Sequence, residues 1–131
     1  MKNIKSFKLF ELKKNYSLLW DKEIFKKILN SYLIAALWTE ELDNFDISDI
    51  DEDSIKNAKK DIENFLKKSI DLDIKLTPEQ IGYNFWLTRN HHGVGFWNRD
   101  LGDIGNDLTK IAQEFDILYT YKDNNGKIII E

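Results

Sequence analysis

Apolar residues recur at three- and four-residue spacing in two long stretches of the first half of the chain. The first stretch follows Asp21, a suitable N-cap, and ends near Trp38, whereas the second runs from about Asp51 to Ile70. This spacing places apolar side chains on one face of a helix, so we predict two amphipathic helices. Their inward-facing residues are Ile24, Phe25, Ile28, Leu29, Tyr32, Leu33, Ala36 and Leu37, and then Ile55, Ala58, Ile62, Phe65 and Leu66.

The sequence TPEQ at residues 77–80 is a strong signal for the start of a third helix. Threonine can cap the helix, proline suits its first position, and glutamine can bond back to the cap. We therefore predict a helix from Pro78 to about Asn90. A competing interpretation makes residues 85–97 a hairpin that turns at residues 90–93, but the capping chemistry favours the helix.

The C-terminal third predicts one more helix and a β-hairpin. Apolar residues at helical spacing indicate a helix over residues 101–115. Residues 117–121 and 127–130 flank the turn Asp-Asn-Asn-Gly at 123–126, where Asn-Gly readily adopts positive φ. An isolated hairpin is marginally stable, so it must pack on the helices or gain a third strand. Residues 1–20 fit either a helix or a strand, and we leave their state open.

The length and composition indicate one domain. The chain has 131 residues, of which 42% are hydrophobic and 32% charged, with a single proline and no repeat or linker. We predict a mostly helical α+β domain over residues 1–131, with about four helices and a small antiparallel C-terminal β-hairpin or sheet. Residues 1–20 are a candidate for a separately packed N-terminal segment.

Several classes of protein are excluded by what the sequence lacks. Cysteine is absent, which excludes a disulfide framework, a zinc-thiolate site and a cysteine nucleophile. No apolar run approaches the roughly 20 residues of a membrane span, and the lysine-rich start has no secretory pattern. We therefore expect a soluble cytoplasmic protein that does not associate with membranes.

Charged residues are unevenly distributed along a chain whose net charge is −4. Residues 1–27 carry eight lysines and three acids, whereas residues 28–53 carry eight acids, all within the acidic segment (residues 40–53), and no base. An acidic protein is a poor general ligand for phosphate backbones, which are bound by clustered cations. Two interpretations remain open: the acidic segment occupies a cationic groove on a partner, or it is a solvated loop that leads into a helix N-terminus.

Residues 82–105, here called the Arg/His/Trp window, concentrate the residue types that are scarce elsewhere. The window holds both arginines (Arg89 and Arg99), both histidines (His91 and His92), five of the six glycines and two of the four tryptophans. A guanidinium offers a fork of donors to a carboxylate or phosphate, and tryptophans are frequent interface anchors. The window is consistent with scaffolding inside the fold, with a binding surface or with a catalytic centre.

The same window carries a resemblance to a known family. It reads FWLTRN at residues 85–90, followed by HG at 92–93, GFW at 95–97 and arginine at 99. This pattern resembles the signature of a family of small, functionally uncharacterised bacteriophage and prophage proteins, with similarity from about residue 35 to the end. The resemblance implies a phage product that acts in the contest with the host, although the motif itself names no activity.

The sequence departs from the family pattern at three positions. The family usually has an acid where Asn84 and Asn98 stand, and a glycine where His91 stands. An amide cannot act as a general base or as an anionic metal ligand, so a carboxylate mechanism at these positions would be lost. An enzymatic function would then depend on His92 and Arg89.

Other catalytic and ligand-binding patterns are weak. Adjacent histidines generally point apart, which makes a poor metal site. Residues 93–95 read Gly-Val-Gly, which is too short for a phosphate loop or a dinucleotide fingerprint. We therefore predict no metal, no cofactor and no assigned catalytic residue.

We expect a binding protein rather than an enzyme, namely a phage-encoded counter-defence protein in the cytoplasm of the host cell. Its partner would be a host immune effector, such as a nuclease or a restriction or CRISPR-type complex, so that it would act like an anti-CRISPR inhibitor. Nucleic acid would be involved only indirectly, and the oligomeric state is left open.

The alternatives are a small phage hydrolase or nuclease that uses His92 and Arg89, a protein that sequesters a small anionic nucleotide, and a structural or regulatory phage component. The expected partner-binding residues are Trp86, Arg89, His91, His92, Trp97, Arg99, Asp49, Asp51 and Asp53.

Overall fold

The computed structural model describes residues 21–93, 95–98 and 101–131. The described chain forms four α-helices and one β-hairpin, so the prediction of a mostly helical α+β fold is confirmed. Short 3₁₀ turns lie at Ile47–Asp49 and Phe96–Asn98. Residues 1–20, whose state was left open, lie outside the described residues. The elements in chain order are α1 (Lys22–Trp38), α2 (Glu52–Lys68), α3 (Pro78–Arg89), α4 (Asp103–Gln113), β1 (Thr120–Lys122) and β2 (Ile128–Ile130).

The first three helices begin where side chains accept hydrogen bonds from backbone amides of the first turn. Asp21 Oδ1 accepts two such bonds at 3.0 and 3.1 Å, and Asp51 Oδ1 accepts one at 2.9 Å. Thr77 forms a reciprocal capping box with the glutamine three residues later. These bonds satisfy amides that the helix leaves free. The helix starts are confirmed, and the competing hairpin over residues 85–97 is wrong because α3 continues to Arg89.

The core is built around α3. Phe85 of α3 stacks on Phe65 of α2 with ring centroids 4.3 Å apart, and Phe65 also stacks on Phe96 at 5.5 Å. The buried Gly82, one turn before Phe85, faces the backbone of α1, where an added Cβ would overlap the carbonyl oxygen of Ile28. The absence of a side chain at residue 82 therefore allows α1 and α3 to approach closely.

The hairpin is held to the helical part of the protein by one further backbone pairing. β1 and β2 are antiparallel, with Thr120 opposite Ile130, and the turn closes at Gly126 with φ of +82°. Ile50, just before α2, forms a parallel bridge with Ile128. This bridge gives the short hairpin the additional support that an isolated hairpin lacks.

No helix among residues 21–93, 95–98 and 101–131 is long and apolar enough to cross a membrane.

Candidate binding surface

Arg89 lies in the core of the protein. Its side chain is 2% exposed, and its Nε and Nη2 atoms donate to the carbonyl oxygen of Asp116 at 3.0 and 2.6 Å. Its Nη1 atom donates to the hydroxyl of Tyr32 at 3.0 Å and to Oδ2 of Asp61 at 2.7 Å. These bonds use four of the five N–H donors of the guanidinium inside the fold. The prediction that Arg89 contacts a partner is therefore wrong.

Trp86 is a core residue as well. It is fully buried, its Nε1 atom donates to Oγ1 of Thr39 at 2.9 Å, and its ring meets that of Tyr32 edge-on at 5.3 Å. The side chain thereby fastens α3 to the end of α1. The prediction that Trp86 anchors a partner is wrong, because both its ring and its polar atom are used internally.

The polar residues next to Arg89 in the FWLTRN motif have the same structural role. Thr88 Oγ1 accepts from the amide of Phe96 at 3.2 Å, and Asn90 Oδ1 accepts from the amide of Leu118 at 2.7 Å. The first bond holds the end of α3 to the 3₁₀ turn eight residues later, and the second holds it to a segment 28 residues later. Thr88 and Asn90 therefore contribute to holding α3 in place within the fold.

A smaller part of the Arg/His/Trp window reaches the surface. Trp97 is 57% exposed, His91 is exposed with φ of +58°, and His92 is partly buried. Arg99 lies outside the described residues. That His91, His92, Trp97 and Arg99 contact a partner therefore stays a prediction.

Among the described residues, no hydrogen bond joins the Arg89 guanidinium to the His92 imidazole. The hydrogen bonds of Arg89 are with Tyr32, Asp61 and Asp116, and an anionic ligand at the guanidinium would also meet the carboxylate of Asp61. In the part of the chain that the structure describes, no group of three His, Asp or Glu side chains is arranged to hold a metal ion. This region of the fold is organised as a structural network.

The hydroxyl of Tyr32 gives a direct test of this network. Burial raises the pKa of Tyr32 to about 12, against a smaller opposing effect of the Arg89 guanidinium. An unfolded tyrosine ionises near pH 10, so the protonated hydroxyl stabilises the fold below about pH 10, and this contribution is lost as the pH rises through 12. We expect the tyrosinate absorbance of the folded protein to include an ionisation near pH 12 that is absent in Tyr32→Phe. Complete titration of the folded wild type near pH 10 would contradict the burial.

Some residues of the acidic segment act as helix caps. Asp46 Oδ1 accepts from the amide of Ser48, and Asp49 Oδ2 accepts from the amide of Asp46, both at 2.9 Å. Asp51 caps α2, whereas Asp53 is exposed in its first turn. The interpretation that the acidic segment places carboxylates at helix starts therefore applies to Asp49 and Asp51. Their charges remain at the surface, and partner binding by Asp49, Asp51 and Asp53 stays a prediction.

A groove beside the acidic segment combines exposed apolar residues with carboxylates. Trp38 is 63% exposed and Ile34 45% exposed, one turn apart on α1. Asp43 and Asp46 stand at the wall of the same groove, which has a volume of about 510 Å³. We call it the acidic groove, and it is lined by Ile34, Leu37, Trp38, Asp43, Phe45, Asp46, Ile47 and Ser48.

The loop that walls the acidic groove is fixed by backbone hydrogen bonds. The amide of Leu42 donates to the carbonyl oxygen of Leu37 at 2.8 Å, and the amide of Glu41 donates to the carbonyl oxygen of Trp38 at 3.1 Å. Glu41 adopts φ of +57°, the left-handed conformation that commonly ends a helix. The groove is therefore formed before a partner arrives, which lowers the entropic cost of binding.

The central residues of the acidic groove were not predicted from the sequence. Ile34 and Trp38 are four residues apart and lie outside the predicted inward face of α1. The sequence did contain a signal for this site. Two large apolar residues lie at helical spacing on the outward side of α1, and eight acids follow them.

Comparison of the chain with protein-family models, with curated proteins and with solved structures finds no match.

Proposed function

We propose that this protein is a binding protein that docks its acidic groove on a cationic surface of a partner protein. The observation that carries the proposal is the combination of exposed Trp38 and Ile34 with the carboxylates of Asp43 and Asp46 in one preformed groove. Large aromatic side chains supply much of the energy of an interface, and charges around them select the partner and speed the encounter.

The charge of the acidic segment indicates the kind of surface that it meets. Eight acids without a base between residues 40 and 53 create a strongly negative field, which is complementary to a groove lined by lysine and arginine. Cationic grooves of this kind bind nucleic acid. A protein that occupies such a groove would exclude the nucleic acid, which is how a phage counter-defence protein would inhibit a host immune nuclease or a CRISPR-type effector.

A catalytic function or the capture of an anionic nucleotide has less support. Both alternatives rely on Arg89, whose four hydrogen bonds to Asp116, Tyr32 and Asp61 are all inside the fold. A ligand phosphate would have to displace these bonds beside a carboxylate. Protein binding at the acidic groove is the function that the geometry supports best.

Two substitutions in the acidic groove should weaken partner binding by about tenfold or more. Trp38→Ala removes the exposed ring, and Asp43→Lys reverses an exposed charge that caps no helix in the described contacts. The partner is isolated from host lysate on the immobilised full chain, and its affinity is then measured for each variant. Double-stranded DNA added as a competitor should release the partner.

Each variant has a matched control elsewhere on the surface. Trp97→Ala removes a similarly exposed tryptophan, and Asp107→Lys reverses an exposed charge on α4. Both controls should bind like the wild type. Loss of binding in Trp97→Ala with normal binding in Trp38→Ala would contradict the proposal and assign the interface to the Arg/His/Trp window.

A further inference from the structure

A second groove lies next to the acidic groove, between α1 and α2. It has a volume of about 560 Å³, an apolar floor and lysines at its mouth, and we call it the lysine groove. Glu63 also lines it, but this carboxylate is paired with Lys67 at 2.9 Å. The residues that line the lysine groove include Lys22, Lys26, Lys59, Phe25, Leu29 and Ile47.

One ridge of α1 borders both grooves. Side chains four residues apart on a helix form a continuous ridge. When a second helix packs against the first, its ridges fit into the grooves next to this ridge. Ile47 lines both grooves, so their apolar floors meet at this side chain. Five residues at four-residue spacing each line one groove or the other: Lys22, Lys26, Asn30, Ile34 and Trp38.

The charge along this ridge changes sign. Its first turns carry Lys22 and Lys26, with Lys59 of α2 across the lysine groove. Its last turn carries Trp38, with Asp43 and Asp46 across the acidic groove. Sixteen residue steps of helix separate the two ends, which corresponds to about 24 Å.

Resting on the proposed function, we infer that the partner presents an amphipathic helix with one acidic end and one basic end. The acidic end lies over the lysine groove, the basic end lies over the acidic groove, and the apolar face of the helix enters both. A helix that matches the length of the ridge has about 16 residues. A wholly basic helix fits less well, because half of its charges would face lysines.

Two synthetic helical peptides of 16 residues with the same apolar face test this inference on the full chain. One peptide has an acidic half and a basic half, and the other is wholly basic. At low salt the charge-polarised peptide should bind about tenfold more tightly, the size expected of several exposed ion pairs. The combined Lys26→Glu and Lys59→Glu variant should reverse the preference, and the control with Lys110→Glu and Lys127→Glu should retain it.

The outcomes separate the inference from the proposed function. Equal or tighter binding of the wholly basic peptide would overturn the polarised helix, while the dependence of partner binding on Trp38 would still support the acidic groove. If neither peptide binds, the inference of a charge-polarised helix is also overturned, and the ridge is assigned to another occupant. Self-association of the wild type in sedimentation, lost in Trp38→Ala, would identify that occupant as a second copy of this chain.

Discussion

Arg89→Ala should lower the free energy of unfolding by about 3–5 kcal/mol, because it breaks a partly buried ion pair and leaves several buried polar groups without their donors. The carbonyl oxygen of Asp116 would lose two donors, the hydroxyl of Tyr32 would lose one inside the core, and Asp61 would lose its cation. Each buried polar group left without a partner costs about 1–3 kcal/mol. Urea denaturation followed by circular dichroism measures the change.

Two further variants identify the origin of this loss. Arg89→Lys keeps the charge but not the planar fork, so its stability should lie between that of wild type and Arg89→Ala. Asp61→Asn should cost less than Arg89→Ala, because the Asp61 side chain is 28% exposed and the other bonds of Arg89 remain. An Arg89→Ala variant of wild-type stability that fails to bind the partner would contradict the structural role of Arg89.

Gly82→Ala should destabilise the protein by about 3 kcal/mol, although alanine favours a helix over glycine by about 1 kcal/mol. The new Cβ would overlap the carbonyl oxygen of Ile28 and lie 2.9 Å from the amide nitrogen of Tyr32. Both atoms belong to the backbone of α1, so neither can move aside like a flexible side chain. The helices α1 and α3 would have to separate, with loss of contacts throughout the core.

Gly93→Ala is the matched control for this prediction. A Cβ at residue 93 would meet no atom within 4 Å, so the midpoint of thermal unfolding should stay close to that of the wild type. If Gly82→Ala were as stable as Gly93→Ala, the close approach of α1 and α3 would be wrong.

The elements of this fold could be predicted because their signals are local. The threonine, proline and glutamine at residues 77–80 satisfy the first amides of α3 within one turn, and the Asn-Gly pair closes the hairpin within four residues. The apolar period of α2 similarly identifies which of its side chains face inward. Such signals depend on the backbone of one element, so they can be recognised without the rest of the chain.

The role of the Arg/His/Trp window could not be predicted in this way. Its unusual composition was apparent in the sequence, but Arg89 and Trp86 proved to hold the core together. The groups bound by Arg89 lie 27, 28 and 57 residues away along the chain. Nothing near residue 89 reveals those distant partners, so composition alone does not distinguish a buried arginine from one at an interface.

The sequence by itself determined the helices, the hairpin, the acidic segment and the single α+β class, because propensity, capping and periodicity act over a few residues. The tertiary structure alone decided that Arg89 and Trp86 are buried and that Ile34 and Trp38 are exposed beside Asp43. Burial depends on which faces of a helix its neighbours cover. Here α3 packs against one face of α1, while the ridge that ends at Trp38 lies along the two grooves at the surface.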